Sequence, residues 1–433
     1  MAAILFCPVT FNLAETTRMI QVARAISPGH RIVFQGYEHD YVELIRAAGF
    51  EYRACEPSWS AAERQRAIDF DQGRSFRSPF TRELVAARVG VERRLIRELG
   101  ASAVVTGSNV TSFLSARAER VPLCYPVPFA LTRPQVAQAR RLYLVGGDGW
   151  LARAADRVAT AGFRWIYNSV PLAPRSFTSV AKANGVPPLR TVSSLLTADL
   201  NLVTEMPWEL AGFDLPDDFV PVGPIFAQLD AELPPIVEEL AADTRPLVYL
   251  GLGSSADRKL ALGAARALGE VDANVVAPIG HYLQPGDEVP SNVHVTPLLP
   301  AHRLGGLVDA AVLHGGQGTV QTACATGVPF VGMGLQPEQT WHVRMCQQAG
   351  NAIAVPPKRV GKPEFLGAVR RVLGDPAIRA AADRIARAYV GVDGAAAAAR
   401  RIEAIATGGA VPGGLASGGR DSEGPASGGP LTG

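Results

Sequence analysis

The sequence is poor in features that would place it quickly. No stretch reaches the roughly 18 consecutive apolar residues of a membrane-crossing helix, so no spanning segment is expected. The N-terminus, MAAILFCPVTF, has no basic leader and too short an apolar run for an export signal. There are five cysteines, Cys7, Cys55, Cys124, Cys324 and Cys346, an odd number without CxxC spacing. That pattern argues against a disulfide framework or a zinc site and fits a reducing cytoplasm. Neither sign of charge dominates: 42 basic and 40 acidic residues leave a net charge of +2. A nucleic-acid partner held by phosphate neutralisation is therefore not expected. No GxGxxG follows the first apolar run, which argues against a nicotinamide-dependent dehydrogenase.

What is present is globular and repetitive in rhythm. The chain has 433 residues, 47% hydrophobic and 19% charged, enough for two domains at about 100–200 residues each. Ala3 to Pro8 reads as a buried strand, Glu15 to Ile26 as an amphipathic helix and Arg31 to Gln35 as the next strand. This βαβ opening predicts a parallel sheet with a ligand crevice at its strand ends. Glu63 to Gly100 is mostly helical, and Ala103 to Thr106 and Val121 to Val127 continue the strands. The acidic, proline-containing stretch near 226–245 reads as a linker region. The rhythm restarts at Leu247 to Leu250, followed by the loop Gly251-Leu252-Gly253-Ser254-Ser255. The reading is an N-terminal domain over 1–225, a linker over 226–245 and a C-terminal domain over 246–406. Residues 407–433, nearly all Gly, Ala, Pro and Ser, cannot bury enough apolar area to offset ordering entropy and are expected to be disordered.

The most informative stretch is Asp309 to Gln339. A short apolar strand, Ala310 to Leu313, runs into His314-Gly315-Gly316-Gln317-Gly318-Thr319, and a helix follows. Such a turn exposes backbone N–H groups at the positive end of a helix dipole, a natural seat for a phosphate or diphosphate. The competing structural reading is a tight turn that packs a helix on a sheet.

The run LHGGQGTVQTACATGVPFVGMGLQPEQTWHVRMCQQAGNAIAV resembles the donor signature of the family 1 nucleotide-sugar glycosyltransferases. PLVYLGLGS at Pro246–Ser254, NVHVTPLLP at Asn292–Pro300 and VPVGP at Val220–Pro224 are similar to further family segments. The resemblance implies the GT-B architecture, α/β with two doubly wound Rossmann-like domains facing a cleft. It implies that His314, Gly316, Gln317, Gly318 and Thr319, with Ser254 or Ser255, hold the donor diphosphate. The backbone at Leu298 and Leu299 would read the base, and Glu338 and Gln339 would bond sugar hydroxyls. No separate cofactor is implied; the co-substrate would be a nucleotide-diphosphate sugar of UDP or dTDP type. No DxD-like cluster lies near the donor loop, so no metal is expected.

The sequence departs from the family at three places. Thr322 stands where a ribose-binding Glu is common, and His342 replaces the usual Asn after the acidic-Gln pair. Glu15 occupies the place of the usual catalytic His, with Thr106, Ser108 and Asn109 where its partner acid would be. Transfer to a hydroxyl still needs a base, and Glu15 is the candidate; the structural alternative is a carboxylate favoured at a helix start. Asn12, Arg18, Asn109 and Phe129 are the remaining acceptor-side candidates. The expected acceptor is a small apolar natural product or lipid. A peripheral membrane role needs no spanning segment and stays open. A nucleotide-sugar-binding protein that has lost catalysis, and a sugar-nucleotide epimerase, are the rival readings.

Overall fold

The computed structural model describes residues 1–71, 75, 77–147, 149–187, 189–228, 231–253 and 255–409. The predicted disordered tail falls almost wholly outside these residues, as does Ser254.

Seven parallel strands form the first sheet: β1 (Ala3–Cys7), β2 (Arg31–Gly36), β3 (Glu51–Ala54), β4 (Ala101–Thr106), β5 (Leu123–Val127), β6 (Leu200–Val203) and β7 (Phe219–Pro221). Their order is β3-β2-β1-β4-β5-β6-β7. Six parallel strands form the second: β8 (Leu247–Gly251), β9 (Asn274–Ala277), β10 (Val293–Val295), β11 (Ala310–Leu313), β12 (Phe330–Gly332) and β13 (Ala352–Ala354). Their order is β10-β9-β8-β11-β12-β13. Strands such as AAVL in β11 are buried at every position, as parallel strands covered by helices on both faces must be. The strand order reverses between β1 and β4 in one sheet and between β8 and β11 in the other. Ligands bind doubly wound sheets at such reversals, beyond the strand carboxyl ends. The loops after these four strands carry Glu15, Ser108, Gly253 and His314 or lead directly into them.

The boundary between the halves is more interlaced than the sequence reading. The expected linker contains a helix, Pro235–Ala241, whose Val237 and Leu240 are buried in a core under the second sheet. The last helix, Gly394–Ala406, was expected with the second half. Its Ala398, Ala399, Ile402 and Ile405 instead pack with Ile4, Phe6, Met19 and Val22 of the first. Its alanine face is flat enough to lie against the first helix, Leu13–Ala25. The chain therefore crosses between the halves twice, and the crossings touch. A Cβ on Gly223 (φ +85°) would lie 2.9 Å from Val392 Cγ1, and one on Gly394 would strike the carbonyls of Gly223 and Pro224.

Candidate active site

Two glycine loops meet around one imidazole. His314 follows β11 and is buried; its Nδ1 lies 3.2 Å from the Gly251 carbonyl at the end of β8. A carbonyl only accepts, so Nδ1 carries the hydrogen and Nε2 is left with a lone pair. Burial holds the imidazole pKa below its ordinary value, against the opposing effect of the Gly251 bond. The ring fits because its neighbours have no side chains. A Cβ on Gly253 would come within 2.7 Å of its Cε1, and one on Gly316 would overlap Nε2. Gly316 is also the N-cap of helix Gln317–Ala325 and offers no side-chain cap. The first N–H groups of that helix therefore retain the positive field that seats an anion.

Gln339 ties the second loop to this floor. Its Nε2 donates to Ser255 Oγ at 3.2 Å, and its Oε1 accepts from Leu335 N at 3.1 Å. Ser255, Gln339 and His314 are thus brought together. Thr319 is half-buried and Gly318 exposed on the same helix start. Glu338 lies beside His342, 3.8 Å from its Nε2. Leu298 is 57% exposed and available at the surface, whereas the Leu299 side chain is buried in the core.

Across the cleft stands Glu15, in the first turn of helix Leu13–Ala25. Its Oε1 accepts from Val9 N at 2.6 Å, and Ser108 donates to the carboxyl through side chain and backbone. Burial nevertheless raises its pKa, only partly offset by those bonds and by Arg18. The carboxyl occupies space that Gly107 leaves open: a Cβ there would sit 2.7 Å from Glu15 Cγ and closer still to the carboxyl carbon. A small, narrow hollow opens beside it, lined by Pro8, Val9, Trp59, Phe80, Arg88, Ser108 and Asn109, among others.

These contacts define what several candidate side chains do in this structure. Gln317 does not hold its side chain free for a diphosphate. Its Nε2 donates to Thr204 Oγ1 at 2.9 Å and Glu205 Oε1 at 2.7 Å, and its Oε1 accepts from Arg18 at 3.0 Å. It is a bridge between the halves, and Gln321 adds a bond to the Thr204 carbonyl at 2.8 Å. Asn12 spends its side-chain oxygen capping the first helix, on Glu15 N at 3.2 Å. Asn109 is buried and bonded to Glu92 and Thr111. The acceptor-side expectation for Phe129 is corrected: it is wholly buried, edge-on to Phe213 and tilted against Trp341, and cannot contact an acceptor without moving.

Glu205 and His342 form a buried polar centre that no local pattern announces. Glu205 accepts from Phe129 N at 2.8 Å as well as from Gln317. Burial above all pushes its pKa up to about 8, with Glu209 adding to the rise and His342 opposing it. His342 is fully buried, which disfavours its charge, yet Glu209, Glu205 and Glu338 together raise its pKa. Glu209 approaches its Nδ1 only to 4.0 Å, too far for a hydrogen bond.

Residues 264–405 match the family described as erythromycin biosynthesis protein CIII-like, C-terminal domain. A PGL/p-HBAD biosynthesis glycosyltransferase of Mycobacterium tuberculosis is 25% identical over 395 residues, 89% of this chain and 88% of that protein. The chain is a glycosyltransferase of GT-B fold. The 4'-demethylrebeccamycin synthase of Lentzea aerocolonigenes is 32% identical over 213 residues, covering 48% of this chain and 50% of that one. Among solved structures, a spinosyn forosaminyltransferase superposes with a TM-score of 0.69 at 18% identity, over 93% of this chain and 99% of that one. SnogD from Streptomyces nogalater gives 0.65 at 20% identity over the same shares. In this glycosyltransferase the two reversal points described above face one another, with Arg18 and Gln317 joining their rims.

Proposed function

We propose that the enzyme moves a sugar from a nucleoside-diphosphate sugar to an acceptor hydroxyl with inversion at the anomeric carbon. The observation that carries this reading is Glu15, a buried carboxylate with a raised pKa, held by Val9 and Ser108 on the wall opposite the uncapped helix at Gly316. In the proposed step the acceptor oxygen bonds to the anomeric carbon as its proton passes to Glu15. The bond to the diphosphate oxygen breaks, and the nucleoside diphosphate leaves. The N–H groups at the start of helix Gln317–Ala325 stabilise the charge that builds on the leaving group. A raised pKa suits the base, because it strengthens the carboxylate's affinity for the proton.

The donor diphosphate would lie over Gly316 to Thr319, with Ser255 and Gln339 at its side and Glu338 toward the sugar. A thymidine diphosphate donor is in keeping with the glycosyltransferase VinC, a structural neighbour solved in complex with dTDP. The acceptor would enter beside Trp59, Phe80 and Arg88. The aromatic walls favour an apolar ring or chain, and the relatives' names point to natural-product or glycolipid synthesis.

Glu15→Gln tests the reading. Turnover should fall by roughly 10²–10⁴-fold, the usual contribution of a positioned base, with nucleoside-diphosphate affinity retained. Unchanged turnover would remove Glu15 from the mechanism. Tight nucleotide binding by the native enzyme with no transfer from any donor would favour a binding role, and conversion of the donor without acceptor would favour an epimerase.

A further inference from the structure

Helix Trp150–Ser169 presents an apolar face to both sides. Its inner face carries Phe163 and Tyr167, packed with Val136, Leu142 and Phe213. Its outer face exposes Leu151, Val158, Trp165 and Ile166, with Trp150 at the start and Leu172 just beyond the end. These side chains are 43% to 75% exposed and make up six of the eleven large apolar residues that are exposed among the described residues. Leu151, Val158 and Trp165 recur every seven residues, so they form one stripe. Between them lie Ala154, Ala155, Ala161 and Gly162, which add no polar group. A helix that is apolar all round belongs in a core or against a hydrophobic partner.

The exposed charge on this helix has one sign. Arg153 and Arg157 are exposed along one flank of the stripe. The single acidic residue in the helix, Asp156, is turned inward, wholly buried and paired with Arg141 at 2.7 Å. From Arg140 to Arg190 the sequence has eight basic residues and two acidic ones, Asp148 and Asp156. Elsewhere the chain is nearly balanced, so this basic excess is local.

We propose that the outer face of helix Trp150–Ser169 docks the enzyme onto an anionic lipid bilayer. The helix lies in the interface plane: about 30 Å long at about 1.5 Å per residue, it is amphipathic at its rim and too polar to cross. Tryptophan at either end of the stripe is the residue that prefers the headgroup level. The flanking arginines are complementary to anionic headgroups. A second copy of the chain would suit the surface less well, because a two-fold contact along the stripe would bring like-charged arginine rows together.

The position of the face gives the docking a purpose. Its inner neighbours lead through Phe213 and Phe129 to Trp341, buried two positions after Gln339 of the donor side. A docked enzyme would therefore hold its cleft close to the bilayer, where a lipid-borne acceptor resides. This consequence rests on the acceptor reading above; the docking itself does not.

Cosedimentation of the full chain with vesicles decides the matter, in the absence of donor and acceptor. Vesicles of phosphatidylcholine with a quarter phosphatidylglycerol should bind the protein at low salt, with a blue shift of tryptophan emission. Pure phosphatidylcholine vesicles should bind it several-fold less. Val158→Glu and Leu151→Glu should each weaken partitioning at least tenfold, and Arg157→Gln roughly fivefold. All three positions are exposed, so circular dichroism should show the native fold. Absence of binding to the anionic vesicles at low salt would overturn the proposal. So would a stable dimer in analytical ultracentrifugation that Val158→Glu dissociates, because the face would then belong to a second copy.

Discussion

Replacing Gly107 by alanine should disable the enzyme without altering any ionisable group. The new Cβ would lie 2.7 Å from Glu15 Cγ and nearer still to the carboxyl carbon. Carbon atoms rest at about 3.5–4.0 Å, so the Glu15 side chain must retreat by roughly 1 Å. Gly107 does not use the left-handed backbone region, so the substitution adds no strain of its own. The retreat pulls the carboxylate from Val9 N, now at 2.6 Å, and from Ser108. A misplacement of about 1 Å costs on the order of 10²-fold in rate, so kcat should fall by about that factor. Donor KM should hold, since the donor loops lie on the other half. Steady-state kinetics with saturating donor would measure this, with differential scanning calorimetry to confirm the fold. Wild-type kcat in a folded Gly107→Ala enzyme would refute the argument that Glu15 must stand where it does.

Further expectations follow from the same contacts. The kcat/KM profile should have an acidic limb above the ordinary glutamate range. Burial raises the Glu15 pKa, activity needs the ionised form, and activity is lost as pH falls through that value; Glu15→Gln should abolish the limb. His314→Ala should weaken nucleoside-diphosphate binding by about 1.5–3 kcal/mol, the range for a bond to a charged group. Calorimetry should also find native binding tightening as pH falls, because the buried imidazole is neutral until an anion favours its protonation. Gln317→Ala removes the donor to Glu205 and Thr204 and should lower stability by about 1–3 kcal/mol in denaturant titration. Stability should decline as pH rises toward 8. Glu205 keeps its proton in the folded state up to about 8, and His342 holds its own above its ordinary value. The unfolded chain releases both protons earlier, so folding loses their contribution. Glu205→Gln should flatten that decline.

The sequence was most readable where chemistry is local. Strand, glycine turn and helix around His314 follow from neighbours a few positions apart, and Glu15 is reachable because a helix start follows the first strand. Gly107 carried a readable signal as a glycine beyond a strand end, but what it makes room for lies 92 positions away in the chain. The side-chain role of Gln317 was not legible, because a glutamine in a phosphate loop looks the same whether its side chain faces a ligand or another domain. Glu205 was invisible for the same reason, and His342 was legible only as a departure from the family pattern: the meeting of the halves is what buries them together. Phe129 was misplaced because an irregular apolar loop reads alike as an open wall or as packed core. The last helix was assigned to the nearer half by sequence proximity, whereas its alanine face fits the farther one.

The two chain crossings bear on how the cleft can open. Because Gly223 and Pro224 lie against Val392 and Gly394, the tethers act side by side as the two knuckles of one hinge pin. A single tether would let the halves swivel and slide. Paired tethers in contact leave mainly one rotation, about an axis along that edge. Glu15 and His314 would then separate and return along one arc, and each closure would restore the same alignment of base and leaving group. The missing side chains at Gly223 and Gly394 are what let the two crossings pack in contact, so a bulky residue at either would push them apart.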